Sequence, residues 1–233
     1  MARPHYEADR QVLMLRDIRS GTTRALTQSW DRSVDSIAWS ADSKNLIVTA
    51  QDTLEHPAFS INARSGAVTR LTERGTVGEP LPQRDGSIIY TINSITSPND
   101  IVFRAANGQT RALTHVNAEL LAGIDPVHYE QYNFAGANND RVWGQILSPQ
   151  GSTGKLPTVM IVHGGPQGSL GNSWGDFDHQ TRVKRLRDEV FRAKVQGFTR
   201  VSCSDYFVLL GLRQFGNGVH GGDFHLHGDG SGA

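Results

Sequence analysis

Ile61-Asn62-Ala63-Arg64-Ser65-Gly66, running on to Thr69-Arg70-Leu71-Thr72, has two partners elsewhere in the chain. Arg16-Asp17-Ile18-Arg19-Ser20-Gly21 leads to Thr23-Arg24-Ala25-Leu26-Thr27, and Arg104-Ala105-Ala106-Asn107-Gly108 leads to Thr110-Arg111-Ala112-Leu113-Thr114. The glycines are 45 and then 42 residues apart, and the final threonines keep the same spacing. Ser-Gly and Asn-Gly pairs between such segments mark hairpin turns, because glycine adopts positive φ without a steric penalty. A repeat of about 40–50 residues is the length of one four-stranded propeller blade.

The stretches between the matches read as strands. Ser36-Ile37-Ala38-Trp39-Ser40 enters the turn Ala41-Asp42-Ser43-Lys44 and leaves as Leu46-Ile47-Val48-Thr49. Asp85-Gly86 turns into Ser87-Ile88-Ile89-Tyr90-Thr91-Ile92. A single blade cannot bury both its faces, so blades stack on one another. Residues 1–123 therefore read as a partial β-propeller of about two and a half blades. The strand Val12-Leu13-Met14-Leu15 follows Met1 so soon that the chain is expected to start partway through a propeller.

Composition fits this reading and excludes others. The chain has 233 residues, 25 of them glycine and nine proline, which suits a turn-rich β protein. Lys+Arg and Asp+Glu both total 23, so net charge makes no case for nucleic acid or an anionic membrane as partner. The single cysteine, Cys203, excludes an internal disulfide and a CxxC metal site. No run of 18 apolar residues spans a membrane, and the polar N-terminus lacks the apolar stretch of a signal peptide. Localisation stays open, cytoplasmic by default.

From Ile124 the repeat stops and the character changes. Tyr129–Phe134 alternates like a strand, Asn138-Asn139-Asp140 is a turn, and Val142–Leu147 is a second strand ended by Ser148-Pro149. Pro157-Thr158-Val159-Met160-Ile161-Val162 is a continuous apolar, β-branched run, as in strands buried on both faces of a parallel sheet. It ends at His163-Gly164-Gly165-Pro166. A His-Gly-Gly loop after a buried strand offers backbone N–H groups to a developing oxyanion, because glycine lets the backbone approach closely. The plain alternative is a glycine turn.

Propeller-like repeats, a two-strand entry and Leu156-Pro157-Thr158-Val159-Met160-Ile161-Val162-His163-Gly164-Gly165-Pro166-Gln167-Gly168 together resemble the prolyl oligopeptidase family of serine peptidases. The likeness is to its acylaminoacyl-peptidase and dipeptidyl-peptidase branch and covers residues 1 to about 174. The resemblance implies a mixed β and α/β fold, with the start of an α/β-hydrolase domain at 124–174 behind the propeller. It implies hydrolysis of short peptides, Gly164 and Gly165 beside the oxyanion with His163 shaping the loop, a peptide substrate and no cofactor. Oligomeric state is left open.

The family's nucleophile lies in a Gly-x-Ser-x-Gly-Gly elbow, followed by an aspartate and a histidine. Gly171-Asn172-Ser173-Trp174-Gly175 matches the shorter pattern formally. It follows Gly165 too closely for a strand to intervene, so it reads as loop, and Ser173 is not expected to be the nucleophile. No credible triad is present, so the chain is expected to be inactive, with a non-catalytic peptide- or protein-binding fragment as the alternative.

Residues 175–233 depart from the family. All nine prolines precede residue 167 and all four tryptophans lie at or before 174. Two readings stay open: a tail foreign to the family, from a shifted reading frame or a misassembled gene, or a divergent but genuine cap. Within this stretch Thr181–Lys194 reads as a helix with Val183, Leu186, Val190 and Ala193 on one face, its basic residues forming a solvated surface. Tyr206–Leu210 reads as one strand. His220, His225 and His227 with Asp223 are ligand types, but no scaffold fixes them, and no metal site is expected.

Overall fold

The computed structural model describes residues 5, 9–123, 127–153, 159–162, 170–174 and 206–210. The first sheet has two strands, β1 (Met14–Arg16) and β2 (Thr23–Ala25). The second has four: β3 (Ser36–Trp39), β4 (Asn45–Thr49), β5 (Ala58–Asn62) and β6 (Val68–Arg70). The third repeats the pattern with β7 (Thr76–Pro82), β8 (Ile88–Ser94), β9 (Ser97–Arg104) and β10 (Thr110–Ala112). Each strand pairs antiparallel with the next in its sheet. Two complete blades and two strands of another make a propeller-like stack.

The repeated glycines close the β1–β2, β5–β6 and β9–β10 hairpins. Gly21, Gly66 and Gly108 have φ of 73°, 74° and 92°. Their amides donate back across the turn to Asp17, Asn62 and Ala105 carbonyls at 2.9, 2.8 and 2.9 Å. The surroundings differ between copies. A Cβ on Gly66 would run into the carbonyl oxygen of Leu26 on the neighbouring sheet, whereas one on Gly21 would meet open space.

Alternation along β4 shows how the sheets hold together. Leu46 and Val48 face one way, into a cluster with Leu13, Leu26, Val34, Phe59 and Ile61. Ile47 faces the other way, into a cluster with Ala58, Val77, Ile88 and Tyr90. A central strand buried on both faces reads as an unbroken apolar run for this reason. Ile37 and Trp39 pair with Val48 and Leu46 and so share their face. The two-stranded sheet does not reach them, and they are 55% and 48% exposed.

Strand β7 carries Pro80 and Pro82 and has no strand signal in the sequence. It lies at the edge of its sheet and bulges between Gly78 and Leu81. Prolines are tolerated at edges and bulges, where no ladder donor is lost.

A single turn of helix, α1 (Ala118–Leu121), follows the stack. The fourth sheet contains β11 (Val127–Ala135), β12 (Arg141–Pro149), β13 (Val159–Val162) and β14 (Tyr206–Leu210), in the order β11-β12-β14-β13. Strands β11 and β12 form a long antiparallel hairpin turned by Ala137–Asn139, with Asn138 and Asn139 at positive φ. The strand expected at Val159–Val162 is present, but its setting differs from the parallel one expected. It pairs antiparallel with β14, while β14 runs parallel to β12. A short apolar run reports burial and carries no information on direction, which comes from a partner far along the chain. Tyr206–Leu210 is the strand read from the sequence, and it joins this sheet.

Candidate functional site

Strand β13 ends at Val162, directly before His163. The three residues marked for the oxyanion loop, His163, Gly164 and Gly165, lie outside the described residues, as do Thr181–Lys194 and His220, Asp223, His225 and His227. Ser173 is described. It belongs to the segment 170–174, which is neither strand nor helix and lies between the β11–β12 hairpin and the two complete blades. The Ser173 amide donates to the Gly171 carbonyl at 2.9 Å. Among the described residues no histidine hydrogen-bonds Ser173, and no nucleophile–base pair forms.

What the segment does instead is bury Asn172, which is 4% exposed. The Asn172 amide donates to the Leu54 carbonyl at 2.6 Å, and Thr76 Oγ1 donates to the Asn172 carbonyl at 3.1 Å. The Ile95 amide donates to Asn172 Oδ1 at 3.0 Å, and Asn172 Nδ2 donates to Glu55 Oε2 at 3.0 Å. Beside it, the Trp174 amide donates to Asn93 Oδ1 at 2.8 Å. Beneath these bonds Ile95, Val127 and Leu147 form a small apolar cluster with Tyr129 and Leu170 packed against it.

Glu55 is 7% exposed, so its carboxylate requires donors. It takes them from the Gly75 amide and Asn172 Nδ2 on Oε2, and from Gln131 Nε2 on Oε1 at 2.6 Å. Gln131 Nε2 also donates to the Tyr129 hydroxyl at 2.6 Å. Burial pushes the pKa of that hydroxyl well above its ordinary value, and the Glu55 charge pushes the same way against the Gln131 bond, so Tyr129 stays neutral. On β12, Gln145 is fully buried and donates through Nε2 to the Leu170 carbonyl, while its Oε1 has no hydrogen-bond partner among the described residues. The junction is a set of amides, carbonyls, the Thr76 and Tyr129 hydroxyls and one carboxylate. It can hold two parts of the chain in register, and among the described residues it contains no nucleophile paired with a base.

Sequence reasoning does not single out Glu55, Gln131, Gln145 or Asn172 as site residues. Gln131 and Gln145 are opposite each other in the hairpin register. A polar pair at one buried and one half-buried position of otherwise alternating strands is the one signal that points to a polar interface. Glu55 carries none, because its role depends on a residue 117 positions away.

No family model matches the chain. Several dipeptidyl-peptidases do. The probable dipeptidyl-peptidase 5 of Aspergillus clavatus is 33% identical over 178 residues, covering 72% of this chain. Dipeptidyl-peptidase 5 of Schizosaccharomyces pombe is 28% identical over 179 residues, covering 75% of this chain. The chain is similar to both over about three quarters of its length, which supports a prolyl oligopeptidase-family peptidase of which it covers only part. It spans about a quarter of the length of these family members, 24% and 26%. The acylaminoacyl peptidase of Pyrococcus horikoshii aligns with a TM-score of 0.59 at 15% identity, over 82% of this chain and 26% of that one. That likeness carries the β-rich, propeller-like fold of a family member.

Among the described residues there is no group of three or more His, Cys, Asp or Glu side chains able to hold a metal ion. Among them, too, no helix is long and apolar enough to cross a membrane.

Proposed function

We propose that the chain carries the propeller-side and oxyanion-loop portions of a serine peptidase that hydrolyses short peptides, of the dipeptidyl- or acylaminoacyl-peptidase type. One observation carries this reading. A propeller-like stack leads through a two-strand hairpin into β13, which ends directly before His163-Gly164-Gly165. In this reading residues 1–123 are propeller blades and 124–174 begin the α/β-hydrolase domain. Gly164 and Gly165 supply N–H donors to the oxyanion, and the substrate is a peptide, with no cofactor required. The chain alone does not turn substrate over, because an oxyanion loop without a positioned serine and base cannot carry acyl transfer. Burial of Asn172 supports this, since it commits the formal Gly-x-Ser-x-Gly stretch to a packing role.

Residues 175–233 form a third, divergent segment in this reading. One observation favours a genuine cap over a shifted reading frame. Tyr206–Leu210 occupies the place between β12 and β13.

A fluorophosphonate probe tests the reading, because it labels only an activated serine. The expected result is no labelling and no release of a dipeptidyl or acylaminoacyl chromophore. Labelling at Ser173 overturns the packing role given to its segment. Labelling at any other serine overturns the expected inactivity and leaves the peptidase assignment standing. For the tail, translation of the coding sequence beyond codon 174 in all three frames decides. A Gly-x-Ser-x-Gly-Gly elbow with later Asp and His codons in another frame establishes the shift. Its absence, with the present frame confirmed by resequencing, overturns the shift.

A further inference from the structure

Every hydrogen-bonding group of Asn172, backbone and side chain, is taken up by a different residue of the two complete blades. The partners come from three separate places: the loop between β4 and β5 (Leu54, Glu55), the start of β7 (Thr76), and the turn between β8 and β9 (Ile95). The side chain is read at both ends. An amide N–H, from Ile95, meets the carbonyl end, and a carboxylate, Glu55, meets the NH2 end. Aspartate in this place would set its second oxygen against the Glu55 carboxylate in a buried site, where like charges repel strongly. Alanine would leave the Ile95 amide without this acceptor. The preceding residue is held small as well, because a Cβ on Gly171 would lie 3.1 Å from the Leu54 carbonyl oxygen. Leu170 then packs against the Ile95, Val127 and Leu147 cluster.

We propose that the two complete blades carry a docking pocket specific for asparagine, formed by Leu54, Glu55, Thr76 and Ile95. Its ligand is the chain's own Leu-Gly-Asn segment at 170–172. Docking fastens the β11–β12 hairpin to the stack through the Gln131–Glu55 and Gln145–Leu170 bonds on either side. The Asn172 position of the formal Gly-x-Ser-x-Gly pattern therefore serves recognition, and the Ser173 side chain is dispensable to it. This inference goes beyond the peptidase reading and does not depend on it.

Amide hydrogen exchange on the full chain tests the pocket, comparing the parent with Asn172→Asp, Asn172→Ala and Ser173→Ala. The Ile95 amide is expected to exchange at least about tenfold faster in both Asn172 variants, as on loss of a buried hydrogen bond, and fastest in Asn172→Asp. The Val48 and Ile61 amides in the blade core are expected to keep their protection, which shows that the variants remain folded. Ser173→Ala is expected to match the parent. Adding Glu55→Gln to Asn172→Asp is expected to slow Ile95 exchange only part of the way back, because it removes the charge repulsion but sets an NH2 against the Gly75 amide that donates to Oε2. Parent-like Ile95 exchange in Asn172→Asp overturns the pocket. So does equal loss of protection at Val48 and Ile61, an effect of Ser173→Ala as large as that of Asn172→Ala, or no recovery in the double variant.

Discussion

The blade–blade contacts and the hairpin–blade junction are held by different physics. Between blades the contact is mainly apolar, with Leu46, Val48 and Phe59 on one face of a sheet and Ile47 on the other. Such burial is worth roughly 25 cal/mol per Å² and has little directional preference. At the junction the buried Glu55, Gln145 and Asn172 and the half-buried Gln131 are joined by hydrogen bonds that each need one partner in one place. A net hydrogen bond contributes only about 1 kcal/mol, but leaving a buried partner unpaired costs about 1–3 kcal/mol. The blades supply the stability, and the junction supplies the position. The dependence is also uneven, because the junction takes Leu54, Glu55, Thr76 and Ile95 from the blades and, among the described residues, adds none to the two blade-core clusters.

The largest expected effect tests that direction. Phe59 is buried, stands edge-to-face with Trp30 at a centroid distance of 4.8 Å, and lies beneath the Arg70 guanidinium. Phe59→Ala should cost about 3–5 kcal/mol, the range for a large aromatic removed from a core. Urea unfolding followed by circular dichroism measures it, with amide exchange at Ile95 as a second readout. Blade and junction protection should fall together, in contrast to the junction-only loosening expected from Asn172→Ala. A cost below about 1 kcal/mol would show that the interblade cluster is not the main support of the stack.

A smaller effect separates two copies of the repeat. Gly21 and Gly66 share the same positive φ, 73° and 74°. Alanine at Gly21 should cost about 1 kcal/mol for its left-handed backbone alone. Alanine at Gly66 should cost more, because its Cβ also meets the Leu26 carbonyl of the next sheet. Equal shifts in the thermal midpoint of the two variants would mean that the close approach of the sheets at Gly66 carries no energetic weight.

These contrasts show what could be read before any coordinates. The hairpins at Gly21, Gly66 and Gly108 were legible because turn chemistry is local and repeats with the blade. The strands of the β11–β12 hairpin and Val159–Val162 were legible from alternation and from an apolar run. Strand β7 was hidden by Pro80 and Pro82, whose tolerance depends on an edge position that a local pattern does not encode. The direction of β13 was hidden for a similar reason, since its partner β14 is distant in sequence. The junction was the least legible part. Asn172 read as a loop residue inside a chance motif, and nothing near Glu55 announces a buried carboxylate. The marked oxyanion residues His163, Gly164 and Gly165 rest on the motif and the family.

The smallest expected effect lies where the two regions meet. His56 follows Glu55 and bridges the two complete blades. Its Nε2 faces Asp35 Oδ2 at 2.8 Å, and its Nδ1 faces the Val77 carbonyl at 3.1 Å. Both partners are acceptors, so only the doubly protonated ring can donate to both at once. Burial by itself lowers the His56 pKa, but the Asp35 hydrogen bond, the Val77 carbonyl and the Asp35 charge outweigh it, and the pKa is raised above the ordinary 6.5. A raised pKa means that the folded state holds this proton more tightly than the unfolded chain. The added stability is complete below pH 6.5 and is lost as pH rises through the folded-state value. Thermal midpoints should therefore fall as pH rises through this range, and His56→Gln should flatten that slope, since its amide cannot titrate. The interblade amides of Val77 and His56 should lose protection over the same range while the Asn172-bound Ile95 amide does not. A slope unchanged by His56→Gln would remove His56 as its source. Parallel loss at Ile95 would show that the blade contact and the junction are one cooperative unit.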